Sequence, residues 1–164
     1  MNSTKNTHQE DMAHQGVFAK IVRGELARLG EHFDVCERPA ADALAVAVAD
    51  EPLVYLVARA GPQSLDWGAV AAVLGSQLLG DLCRWMRGTD AGATSPMLIA
   101  RLPWPAISRG AEVQLSMLLA AMKAASAPDA LATHAAIERV VVELFGLEVD
   151  DLIGLRCAPQ TVSC

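Results

Sequence analysis

The side chains of this chain best suited to proton transfer or metal binding near neutral pH are four histidines, His8, His14, His32 and His134. His8 and His14 stand in a polar opening stretch and His32 follows a predicted helix stop. His134 lies on a predicted helix; all four read as surface or edge residues rather than as a metal or catalytic set. Serines 64, 76, 95, 108, 116 and 126 occur in no G-x-S-x-G turn. Neither a G-x-G-x-x-G nor a G-x-x-x-x-G-K phosphate loop is present. Glu148, Asp150 and Asp151 lack the spacing of a calcium-binding loop and read as a solvated acidic end. Cys36, Cys83, Cys157 and Cys164 are far apart with no C-x-x-C, as expected of reduced packing cysteines rather than zinc ligands or a disulfide framework. These residue types in these patterns predict no catalytic residues, no metal and no cofactor, and hence a protein that is not an enzyme.

Composition narrows the classes further. Thirteen basic against nineteen acidic side chains give a net charge of −6, a surface that repels nucleic acid. Hydrophobic residues make up 52% of the chain, yet no uninterrupted apolar run is long enough for membrane insertion. The stretch "MNSTKNTHQEDMAHQ" has no apolar core of a secretory signal; residues 1–15 are expected to be a disordered leader on a cytoplasmic protein. Residues 16–164 then form one α+β domain with a helical extension from about residue 128.

The elements follow from periodicity. Val17, Phe18, Ile21, Val22, Leu26 and Leu29 recur at helical spacing, predicting an amphipathic helix over Met12–Leu29 stopped by Gly30. Phe33–Glu37, Ala43–Ala49 and Leu53–Arg59 read as a three-stranded antiparallel unit, with Asp50-Glu51-Pro52 as a turn. The hairpin "DALAVAVADEPLVYLVARAGP" is notable for having almost nothing polar in its strand interiors. "SLDWGAVAAVLGSQLL" predicts a helix capped at Ser64 and apolar almost all round. Leu82–Arg87 and Met97–Leu102 flank the turn-rich "TDAGATS" and suit a second hairpin, although Leu82–Arg87 also fits as an extension of the helix. Gly110–Ala125 and Pro128–Phe145 predict two closing helices, the last stopped by Gly146. The expected architecture is therefore an N-terminal helix, an antiparallel sheet of about five strands interrupted by an apolar helix, and C-terminal helices.

Three resemblances bear on function. "VFAKIVRGEL" resembles the opening of histidine-triad nucleotide hydrolases, but the H-x-H-x-H signature of their chemistry is absent from the chain. The order "HFDVCERP", "LVYLVARAGPQSLDWGAVAAVLG" and "GATSPM" looks like that of prolyl-tRNA-editing deacylases. That likeness implies an aminoacyl-tRNA editing domain dependent on the loop at Gly92, Ser95 and Pro96. It also implies a site lysine, and no lysine occurs between Lys20 and Lys123, so such a domain would be degenerate.

The third resemblance spans Val17 to Ala125. "FAKIVRGELARLG", "DALAVAVADEPLVYLVARAG", "SLDWGAVAAVLGSQLL", "MLIARLPW" and "AEVQLSMLLAAMKAA" together resemble the small acidic chaperones of bacterial type III secretion. That likeness implies a homodimer that holds an extended segment of secreted effector proteins and delivers it to the export apparatus. Leu65, Trp67, Val70 and Leu74 on the apolar helix are the expected dimer interface. Val17, Ile21 and Val22 on the first helix, with Val54 and Leu56 on the hairpin, are the expected client contacts.

Overall fold

The structure, a computed structural model, describes residues 16–59 and 66–147. It is α+β, with seven helices and two small antiparallel sheets among those residues. The predicted leader, Ser64, Leu65 and the acidic end at 148–151 lie outside the described residues.

The first helix, α1, covers 16–23 within the described residues, shorter at its C-terminal end than its periodicity predicts. Gly24 ends it, its N–H bonding the Ile21 carbonyl at 3.3 Å. The chain then extends as β1 (Ala27–Arg28), which pairs antiparallel with β5 (Pro103–Trp104). A single turn, α2 (Leu29–His32), follows, its start held by Glu31 accepting the Arg28 N–H. Leu26 and Leu29, read as one helical stripe, thus serve separate elements. Gly30 is no stop: it lies inside α2, where a Cβ would stand 3.0 Å from Ala100 Cβ and 3.1 Å from the Ala100 carbonyl oxygen.

The main sheet holds β2 (Phe33–Cys36), β3 (Leu44–Val46) and β4 (Val54–Ala58) in the order β2-β4-β3. The predicted three-stranded unit is present with trimmed ends. Register places Val35 and Leu44 on either side of Leu56, and Val46 beside Val54. One face therefore carries Phe33, Val46, Val54 and Leu56 into the core, while Asp34, Ala45 and Tyr55 lie on the other. The apolar hairpin is explained in part by this: its inward residues are core.

The predicted single apolar helix is two: α3 (Trp67–Leu74), capped by Asp66, and α4 (Gln77–Thr89), capped by Ser76. Ser76 makes the break. Its hydroxyl donates to the Val73 carbonyl at 2.6 Å, closing α3, and accepts the Leu79 N–H at 3.3 Å, opening α4. The predicted second hairpin does not form: Leu82–Arg87 lies in α4, and Met97 opens into α5 (Ser95–Ala100), with Pro96 in its first turn. Leu79, Leu82, Cys83 and Met86 recur at helical spacing and are all buried, so the 3.6-residue period prevails over the short apolar runs. The five strands are thus divided between two sheets, with β1 and β5 in place of that hairpin.

Two long helices, α6 (Arg109–Ala124) and α7 (Ala127–Leu144), form an antiparallel hairpin laid on α3 and α4. Gly146, at φ +66°, ends α7 as expected: its N–H bonds Glu143 at 3.0 Å and Leu147 N–H bonds Val142 at 3.3 Å, a paired C-terminal closure that needs the left-handed glycine. Ile137, Val141 and Phe145 join the same core as Phe18, Leu56 and Leu79, so α7 is built into the domain rather than appended to it. Aromatic contacts tie the layers: Trp104 meets Phe33 edge-on at 5.9 Å, and Phe33 lies 5.7 Å from Trp67.

The approach of α2 to α5 generates a test. Because the neighbour of Gly30 includes backbone that cannot rotate away, Gly30→Ala should destabilise the protein by about 1–3 kcal/mol in urea unfolding. Gly92→Ala, with open space around it, should leave the midpoint nearly unchanged.

Candidate functional site

A recess borders one edge of the main sheet, that of β3, which pairs only with β4 among the described residues. After Val46, the last paired position, the chain runs through Ala47, exposed, and Val48, buried, into the turn that starts at Ala49. Ala47 and Ala49 form one wall of a cleft of about 390 Å³, and the α3–α4 joint at Leu74, Gly75, Ser76 and Gln77 forms the other. Gly80, Asp81 and Arg84 on the first turns of α4 complete it. Small residues at 47, 49, 75 and 80 keep it open. Ala49 is held at φ +52°, a left-handed conformation that costs an alanine about 1–2 kcal/mol and here turns the edge strand into the Asp50-Glu51-Pro52 turn.

That turn is fastened to α4 by two arginines. Arg84 reaches Asp50 at 3.2 Å and Asp81 at 3.1 Å. Arg87 grips Glu51 with two nitrogens, Nε to Oε1 at 2.6 Å and Nη2 to Oε2 at 2.8 Å, and its third nitrogen donates to the Ala93 carbonyl. Ser95 donates its hydroxyl to Glu51 Oε2 at 2.6 Å. The hydrogen bond from Arg87 is the main cause holding the Glu51 carboxyl below its ordinary range, against the opposing effect of burial, with Ser95 adding to the lowering. Glu51 in turn raises the Arg87 guanidinium further.

Chemically this arrangement is a fastening. A carboxylate so stabilised is a weak base, and Ser95, the serine of the loop compared above with editing deacylases, spends its proton on that carboxylate. Burial pushes the Cys83 thiol up to about 11, so it is a packing thiol at neutral pH. Among the described residues no group of three or more histidine, cysteine or acidic side chains could hold a metal ion. His32 is exposed, and His134 lies 3.7 Å from Glu138, one helical turn on. Among the described residues no helix is long and apolar enough to cross a membrane.

The predicted contact residues fall elsewhere than expected. Val70 and Leu74 are buried under this chain's own helices, and Trp67 is partly buried against Phe33. Val70 and Leu74, expected at a dimer interface, are thus covered within the chain: the apolar surplus of α3 lies under α6, with Gly68 against Ser116. Leu65 lies outside the described residues. Val54, Leu56 and Ile21 are buried in the core and are not available to a client in this fold, while Val17 and Val22 are partly buried against it. What sequence reasoning missed is the arginine fastening; its signal was an acidic pair in a turn and arginines three residues apart on one helix.

No family model, curated protein or solved structure matches the chain.

The depressed Glu51 carboxyl sets a pH dependence. A carboxyl lowered on folding contributes stability in full above its unfolded pKa, about 4.3, and loses it as pH falls through the lower folded value. Urea unfolding of the wild type and Glu51→Gln should show a constant gap in favour of wild type from about pH 7 to about pH 5, narrowing below about pH 4.

Proposed function

We propose that this protein is a non-catalytic carrier that receives an extended segment of another protein along the free edge of β3. The observation that carries this reading is the position of β3 at one end of the order β2-β4-β3 among the described residues, with Ala47 and Ala49 just beyond it bordering an open cleft. An unpaired strand edge offers main-chain donors and acceptors to an incoming strand, and an adjoining recess takes its alternate side chains. A polar cleft wall of Ser76, Gln77, Asp81 and Arg84 suits a segment that brings its own backbone rather than a small apolar ligand.

In its fuller form the proposal is a cytoplasmic secretion chaperone whose client is the extended segment of a secreted effector. The acidic charge of −6 supports encounter with basic or amphipathic clients. The second hairpin of that chaperone resemblance is replaced by α4 and α5, so the support rests on the sheet edge and the charge.

A displayed library of short unstructured peptides tests the reading. Peptides that bind should protect amides around residues 44–48 from hydrogen exchange. Ala47→Pro, which removes one edge N–H just past the β3–β4 pairing, should weaken them about tenfold without lowering the melting temperature. Binders unaffected by Ala47→Pro, or protection elsewhere on the surface, would sink it.

A further inference from the structure

We propose that the outward face of the α6–α7 hairpin is the contact between two copies of this chain. The inward face of α6 is already occupied, with Leu115 fully buried and Leu118, Leu119 and Met122 packed on the core. Its opposite face nevertheless repeats small or apolar residues at Gly110, Val113, Met117, Ala120 and Ala124, alternating steps of three and four that confine them to an arc of about 80°. All five are exposed, Val113 by 51% and Met117 by 68%. From Gly110 to Ala121 no exposed residue of α6 is charged, although the chain as a whole carries −6. On α7 the patch continues through Leu131, 74% exposed, with Ala132 and Ala135 in the first half of the helix, and is bounded further along the same face by the exposed charges Arg139 and Glu143. Both helices pack down on the α3–α4 layer, so their remaining faces point the same way.

Three features favour a second copy as the occupant. A two-fold antiparallel pairing of α6 about Leu118 and Leu119 sets Val113 against Ala124 of the partner subunit and Met117 against Ala120 of the partner subunit, each large residue against a small one. The same register sets Lys123 against Gln114 of the partner subunit and brings no like charges opposite each other. Two helices of sixteen and eighteen residues, about 24 and 27 Å long and about 10 Å apart, offer about 500 Å² per copy. Doubled, that is about 1,000 Å², the lower bound of a specific interface and the mark of a weak, reversible dimer.

Sedimentation equilibrium of the full chain from about 1 to about 500 μM tests this. The wild type should rise towards twice its monomer mass, and Met117→Glu should weaken association about tenfold or more while leaving the melting temperature unchanged. Leu131→Glu on the neighbouring helix should do the same, and mixing Met117→Glu with Met117→Lys chains should restore the heavier species. A wild type that keeps its monomer mass throughout overturns the proposal, as does a dimer indifferent to both glutamate variants.

Discussion

Glu51 sits in a three-residue turn between two short strands, and the two-nitrogen grip of Arg87 holds it against α4. A two-stranded hairpin of this length has little stability of its own. Here its turn is tied to a helix and its strand β4 is paired with β2 as well as β3, so that β2 and β3 are the two edges of the sheet among the described residues and the β3 edge is the one that runs on beside the cleft. The placing of that edge against the α3–α4 joint, and so the existence of the cleft, depends on this one charged contact and on its companion between Arg84 and Asp50. Exposed ion pairs contribute little, but a bidentate pair with a third donor in Ser95 fixes a geometry as well as adding energy.

Other carboxylates are used in the same way. Glu112 on α6 accepts the Asp66 N–H at the start of α3, at 2.7 Å, and Glu138 on α7 accepts the Gln77 N–H at the start of α4. Each places a negative charge at the positive end of a helix and joins it to the closing hairpin. The two contacts set the register of α6 and α7 on the layer beneath, which decides which of their faces remains outside. Acidic composition in this chain is therefore partly structural, since some of these charges hold its layers together.

How much could be read from the sequence varies with the range of the interaction. The three strands, the two closing helices and the Gly146 stop follow from local period and turn chemistry, and they appear with boundaries moved by a few residues. The break at Ser76 is not legible in the sequence, because Gly75-Ser76 lies inside a continuous apolar stripe, and a serine that caps one helix while closing another has no signature in periodicity. Leu82–Arg87 by itself fits a strand as well as a helix, because six residues are too few to separate the two periods; the stripe through Leu79 and Met86 separates them. Val70, Leu74, Val54 and Leu56 were legible as apolar but not as covered. What covers them comes from elements up to several tens of residues away, and no local pattern carries that information. The candidate cleft was the least legible part, being made of small residues whose contribution is to leave space.

The central claim is that the outer edge of β3 is open in the free protein. Residue-resolved amide hydrogen exchange of the full chain tests it without any ligand. The account predicts protected amides through β4, and on β3 slow exchange only where the N–H faces β4, with edge amides from residue 45 to residue 48 exchanging close to the unfolded rate. Uniform protection across that stretch would mean the edge is already paired by the chain itself, and the carrier reading would fall.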